Sequence, residues 1–376
     1  MIIAAILSLS TLTVANAARD PRAGKKLIEY GWDAPSSYFV KTNIEKMEQI
    51  PFDGVVIRLV TYQTANGGPE LLAWKVFSRR RFKPADYQHA INDLKATKFT
   101  RLKDNFIEMC SHPGEVDFFD PDWDIVAYNA GCLAKVAKET GCIGLMFDPE
   151  IYGKSPVWGY EARPDATKKG RTFAEYTARV RECGRKFMRA INSEFPDVKI
   201  LALYGYCMPY KDATEWTGGK GLQYAHYALL PAFYDGMLDV ATLQTQFIDG
   251  HEFSYSYGCR KQYVDARKWV LRDAKTISQC PDEYLEHVRL GFGVWADMDH
   301  RTFGWNPDDF SKNYWTPGAF RTALSHALAY SDEYVWIWSE KLCWWDFNVP
   351  QEYVDALALA KTGPGPEEGG RPYPAK

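Results

Sequence analysis

Gly141-Cys-Ile-Gly-Leu-Met-Phe-Asp148-Pro149-Glu150-Ile-Tyr152-Gly153 is an apolar run of strand length that stops at two carboxylates. Proline lacks a backbone donor and is hostile to the interior of a sheet, so the strand ends here. Residues two apart on an extended chain point to the same side, which sends Asp148 and Glu150 into one space. Two carboxyls crowded together resist joint ionisation, so one pKa rises and an acid and a base become available near neutral pH. A loop aspartate followed by a helix-leading glutamate has the same spelling. The surrounding chain decides between the two.

On either side, short β-like runs alternate with amphipathic helical patterns. The runs Lys26–Trp32, Gly54–Val60, a third within 99–109, Cys142–Phe147, Lys199–Gly205, Thr245–Asp249, Val288–Trp295 and Tyr334–Ser339 read as strands. Helices are predicted over 37–49, 84–96, 122–140, 173–195, 222–240, 263–277, 318–330 and 351–361. Eight such alternations predict an α/β fold, a (β/α)8 TIM barrel, as a single domain with long βα loops over 18–361. The competing doubly wound sheet carries a Gly-rich turn after its first strand, and Gly31-Trp-Asp-Ala-Pro35 is not one. Residues 362–376, rich in Pro, Gly and charge, read as a disordered tail.

In a barrel the chemistry collects where the carboxyl ends of the strands open. Strand one brings Glu29 and Trp32 there, and strand three Asp104 and Asn105. Strand four brings Asp148, Glu150 and Tyr152, strand five Tyr204 and Tyr206, and strand six Asp249, His251 and Glu252. Strand seven brings Trp295 and Asp297, and strand eight Trp338 and Glu340. Acids and aromatics thus recur at strand ends. Flat rings with polar edges suit sugar faces, carboxylates suit hydroxyls, and a carboxyl pair suits a glycosidic bond. Asp148, Glu150 and Glu252 are the catalytic candidates, with Glu150 as the acid and Asp148 or Glu252 as base or nucleophile. Glu29, Trp32, Tyr204, Tyr206, Trp295, Asp297, Trp338 and Glu340 are the substrate-binding candidates. Each has a plainer reading: a loop carboxylate that caps backbone N–H groups or pairs with an arginine, a ring that packs the barrel. His251 reads as a satisfied loop histidine.

Composition narrows the partners. A net charge of −3 over 376 residues lacks the basic excess of a nucleic-acid binder. Aromatic content is high, with 13 Trp, 23 Tyr and 20 Phe, more than a core obliges to gather at strand ends. Eight cysteines without a C-x-x-C pair, and seven histidines without an H-x-H pair, exclude the usual zinc signatures, and the pattern calls for no metal and no cofactor. Met1 to Ala17 reads as a signal peptide: an apolar run too short to span a membrane comfortably leads to Ala15-Asn16-Ala17. The expectation is cleavage after Ala17, a secreted or periplasmic protein, and no membrane span in the mature chain.

In strand order, in the acidic end of strand four and in the end of strand eight, Trp336-Ile-Trp338-Ser-Glu340, the chain resembles the TIM-barrel glycoside hydrolases as a broad group. Asp148-Pro149-Glu150 is similar in spacing to the Asp-x-Glu that ends strand four in chitinase-type hydrolases. That resemblance implies that Glu150 is the acid and that Asp148 orients the substrate. Gly144 and Met146 stand where those enzymes carry further aspartates, and Pro149 stands where barrels of the paired-Glu type carry Asn. What the resemblance implies is hydrolysis of a glycosidic bond in a polysaccharide or oligosaccharide. Two alternatives remain: a non-catalytic carbohydrate-binding barrel, and a metal-dependent barrel hydrolase using Asp148, Glu150, Asp249 and Asp297.

Overall fold

A computed structural model describes residues 20–61, 68–153, 155–298 and 304–365. The barrel strands among them are β1 (Lys26–Gly31), β2 (Gly54–Ile57), β3 (Phe106–Cys110), β4 (Gly144–Asp148), β5 (Lys199–Ala202), β6 (Gln246–Asp249), β7 (Val288–Leu290 and Phe292–Trp295) and β8 (Tyr334–Ser339). All pair in parallel with their sequence neighbours, and β1 pairs with β8 through the register Tyr30↔Trp338. The two pieces of β7 close the ring. Val288–Leu290 pairs with β6 and Phe292–Trp295 with β8, while the Gly291 N–H between them still bonds to the Asp249 carbonyl at 2.8 Å. Every barrel strand is therefore paired on both sides, which removes exposed edges.

The principal helices that follow these strands are α1 (Ser37–Met47), α2 (Pro84–Ala96), α3 (Trp123–Thr140), α4 (Phe173–Glu194), α5 (Leu230–Leu238), α6 (Arg260–Lys268), α7 (Pro317–Tyr330) and α8 (Gln351–Thr362). Their ends follow from side-chain chemistry. Thr172 and Glu175 form a reciprocal capping box at the start of α4, and Gly141, at φ 77°, ends α3 in the left-handed conformation that glycine adopts without penalty. Three residues later the chain enters β4, where Gly144 lies so close to β5 that a Cβ would sit 1.9 Å from the Lys199 carbonyl oxygen.

The predicted alternation stands, with local differences. The third strand begins at Phe106, so Asp104 and Asn105 precede it at the amino end of the barrel, not the carboxyl end. There Asp104 accepts from Tyr334 Oη at 3.1 Å, and Asn105 Oδ1 accepts from the Val55 N–H at 3.1 Å. The helix expected over 222–240 starts at Leu230 with Pro231 in its first turn, as a residue without an N–H prefers. The eight cysteines are free thiols, six of them buried, so no disulfide staples the fold. No helix among the described residues is long and apolar enough to cross a membrane. The expected signal peptide, 1–17, lies outside the described residues, as does the tail from 366; Thr362 closes α8.

Candidate active site

The carboxyl ends of the strands open onto a cavity of about 240 Å³ whose walls include Trp32, Asp148, Glu150, Glu252, Trp295, Trp338 and Glu340. Seven of the eleven residues singled out from the sequence therefore meet in one hollow. The two-residue parity that joined Asp148 to Glu150 holds through the proline. Pro149 offers no N–H, so Asp148 Oδ1 accepts instead from the Glu150 N–H at 2.8 Å. Trp158 Nε1 donates to the Pro149 carbonyl at 2.8 Å and Ser111 Oγ to the Glu150 carbonyl at 3.2 Å, which pins the turn from behind.

Three carboxyls converge here. Asp148 is buried, and its Oδ2 accepts from Tyr152 Oη at 3.1 Å. Burial pushes its pKa well above the usual carboxylate range, and the neighbouring Glu150 charge pushes it further. Glu252 is displaced in the same direction, first by burial and then by Glu150 and Asp148. Its Oε2 is buried without a hydrogen-bond partner, beside the like-charged Glu150. Burial and like charge thus keep Asp148 and Glu252 protonated at a pH where isolated carboxyls have lost their protons.

The aromatic walls surround this acidic floor. Tyr30 meets Trp338 edge-on at 5.0 Å, Trp338 lies 6.2 Å from Trp32, and Tyr255 packs against Trp295 at 5.7 Å. Trp32 is 60% exposed and forms a rim. On the opposite wall Trp74 stacks on Tyr152 at 5.3 Å, an interplanar angle of 22°.

Four sequence candidates do not line the cavity. Because Tyr30 points inward, Glu29 points out, where Oε2 accepts from Trp345 Nε1 at 2.9 Å and burial, then Asp33, raises its pKa. Tyr204 shares a 2.6 Å hydrogen bond with Tyr227, and Tyr206 donates to Asp235 at 2.9 Å. Asp297 accepts from the N–H groups of Glu340 at 3.1 Å and Leu342 at 2.8 Å, and from that of Lys341, organising the β8 loop. These are the plainer roles their spelling also allowed.

Sequence reasoning passed over Arg58, Glu108, Trp74 and Tyr255. Arg58 Nε and Nη2 grip Glu108 at 2.7 and 3.0 Å, and Tyr30 Oη donates to the same carboxylate at 3.2 Å. The signal was present: a basic and an acidic residue at equivalent points of adjacent apolar strands, one step beyond the Ile57↔Ile107 pair. Trp74 sits in the β2 loop, where strand-end reasoning has no purchase.

The metal reading required Asp148, Glu150, Asp249 and Asp297 to converge, and they do not. Asp249 faces away from the cavity, accepting from Cys207 Sγ at 3.0 Å, the Cys207 N–H at 3.1 Å and the His251 N–H at 3.1 Å. Among the described residues, Cys207, Asp249 and His251 do place potential ligand atoms within 4.8 Å of one another, but Asp249 is already supplied with donors. Burial lowers the His251 pKa to about 3, so it is neutral at physiological pH. A second hollow of about 310 Å³ lies between α4 and α5; its acid, Asp235, is filled by Tyr206, Ser278 and the Gln279 N–H.

No protein-family profile and no curated protein sequence matches this chain. Solved structures similar to it include a GH18 chitinase from Pseudoalteromonas aurantia, 12% identical over 89% of this chain and 99% of that one, at a TM-score of 0.39. A GH5-4 broad specificity endoglucanase from Clostridium longisporum is 11% identical over 85% of each chain, at a TM-score of 0.44. A glycoside hydrolase family 5 enzyme from Prevotella bryantii B14 is 8% identical over 92% of this chain and 98% of that one, at 0.46. Closure of the strand ring, rather than these likenesses, establishes the (β/α)8 barrel.

Proposed function

We propose that this protein is an exported glycoside hydrolase that cleaves a polysaccharide or oligosaccharide by paired-carboxylate catalysis. The observation that carries this reading is the convergence of Asp148, Glu150 and Glu252 on the floor of one aromatic-walled cavity. Glu150 gives a proton to the leaving glycosidic oxygen, and Glu252 in its ionised form attacks the anomeric carbon or takes a proton from water as an oxocarbenium-like charge develops. Asp148, held between the Glu150 N–H and Tyr152 Oη, fixes the turn that aims Glu150. The aromatic walls hold the sugar ring, and Arg58 neutralises Glu108 beside it.

The test is hydrolysis of a glycan panel followed by Asp148→Asn and Glu150→Gln on the substrate found. Each variant is expected to lose a factor of about 10² to 10⁴ in kcat/KM, the range of positioned acid–base catalysis. Near-full activity in both removes the assignment. The export reading rests on the apolar run to Ala17. It predicts a mature amino terminus at Ala18 in protein recovered outside the cytoplasm, and an intact Met1 there contradicts it.

A further inference from the structure

A second aromatic group adjoins the cavity on the side away from Trp32. Residue 252 lines the cavity floor, and the next residue, Phe253, turns outward to meet Trp216 at 5.9 Å and stack on Trp269 at 5.4 Å with an interplanar angle of 25°. Trp216 ends the short turn Asp212–Trp216 that follows β5 and is 53% exposed. Its position is nonetheless fixed. The Lys211 ammonium lies 4.5 Å from the Phe253 ring centre, 5.4 Å from that of Trp269 and 5.9 Å from that of Trp216, so one cation ties three rings together. An indole held by its neighbours yet open to solvent gives a flat apolar face without needing to be ordered on binding.

We propose that Trp216 is the outer platform of a groove that continues from the cavity along the β6 loop, so that the protein takes an extended, uncharged glycan chain. This rests on the glycan-cleaving reading of the cavity and adds to it the length of the substrate. Exposed tryptophans then stand at two rims, Trp32 after β1 and Trp216 after β5, with the three carboxyls between them. A chain stacked on both rims presents an internal bond to the floor, which makes the action endo. An isolated exposed tryptophan needs no explanation. This one is locked by a lysine and rests against Phe253, the chain neighbour of Glu252 on the cavity floor, so it is held beside the cavity.

The experiment has two arms, so that the two readings fail separately. In native affinity gels containing hydroxyethyl cellulose, glycol chitin or xylan, the wild-type protein is compared with Trp216→Ala, Trp216→Phe and Leu285→Ala. Leu285 is an exposed apolar residue in the Pro281–His287 helix that leads into β7 at the other end of the barrel. At least one polymer is expected to retard the wild type and Leu285→Ala equally, Trp216→Phe less, and Trp216→Ala about tenfold more weakly. In the second arm, kcat/KM on that polymer divided by kcat/KM on a disaccharide aryl glycoside is expected to fall about tenfold in Trp216→Ala. Retardation lost in Trp216→Ala from a protein that hydrolyses nothing sustains the platform and rejects the hydrolase. Equal retardation of Trp216→Ala and wild type, or no retardation of the wild type by any of the three polymers, overturns the platform.

Discussion

Replacing Glu252 by glutamine should stabilise the protein while abolishing its chemistry, and the size of the gain follows from the site. In the folded state burial, then the charges of Glu150 and Asp148, raise the Glu252 pKa well above its ordinary value of 4.5. The unfolded chain releases the same proton near that ordinary value. Its contribution to stability is therefore full below pH 4.5 and is lost as pH rises towards the folded pKa. The loss runs at no more than about 1.4 kcal/mol per pH unit, and only where the unfolded group has ionised and the folded one has not. Glutamine does not titrate, and its amide N–H can donate to Glu150 where a second carboxylate repels it. At roughly 2 cal/mol/K of unfolding entropy per residue, a barrel of this size has a ΔS near 0.7 kcal/mol/K, so that slope corresponds to at most about 2 °C per pH unit. Thermal unfolding of wild type and Glu252→Gln at pH 5, 6 and 7 should thus show a Tm difference that grows in the variant's favour, by up to about 2 °C per pH unit. Burial raises Glu29, Asp33 and Asp249 as well, but their shared slope cancels in the difference. Parallel Tm-against-pH lines, or a variant that loses ground as pH rises, refute a Glu252 held protonated by the fold.

Two further stability predictions follow from contacts around it. Arg58→Met leaves the buried Glu108 carboxylate without its bidentate partner and should cost about 3 to 5 kcal/mol in urea unfolding, most of it restored in Arg58→Met/Glu108→Gln, where the buried charge is gone. Gly144→Ala forces a methyl against the Lys199 carbonyl between β4 and β5, so it should lower stability by about 1 to 3 kcal/mol and, through β4, depress activity; an unchanged Tm would mean that the two strands can part.

The alternation of periodicities made the fold legible, because the strands are apolar runs of barrel length and several helices carry a start signal such as Ser36, Thr172 or Thr316. The predicted helix over 84–96 has its observed ends, since Pro84 supplies the first turn. The third strand was displaced because Asp104 and Asn105 continue the run in spelling, while Asn105 spends its side chain capping Val55. At the site, parity on a single strand was enough to bring Asp148 and Glu150 to one cavity. Which parity faces inward on β1 is a property of the closed ring, and that is why Glu29 was misplaced and Tyr30 overlooked. Asp297 shares the carboxyl-end position of a catalytic acid, yet three backbone N–H groups of the β8 loop claim it, a partnership set by loop conformation. The Trp74 face of the cavity comes from a loop and has no periodic signal.

The most direct test of the central claim is the appearance of new reducing ends when a panel of neutral polysaccharides is incubated at near-neutral pH with wild-type protein and, in parallel, with Glu150→Gln of unchanged circular dichroism. Release by the wild type and a drop of at least a hundredfold in the variant is the predicted result. Equal release by the two proteins would contradict it.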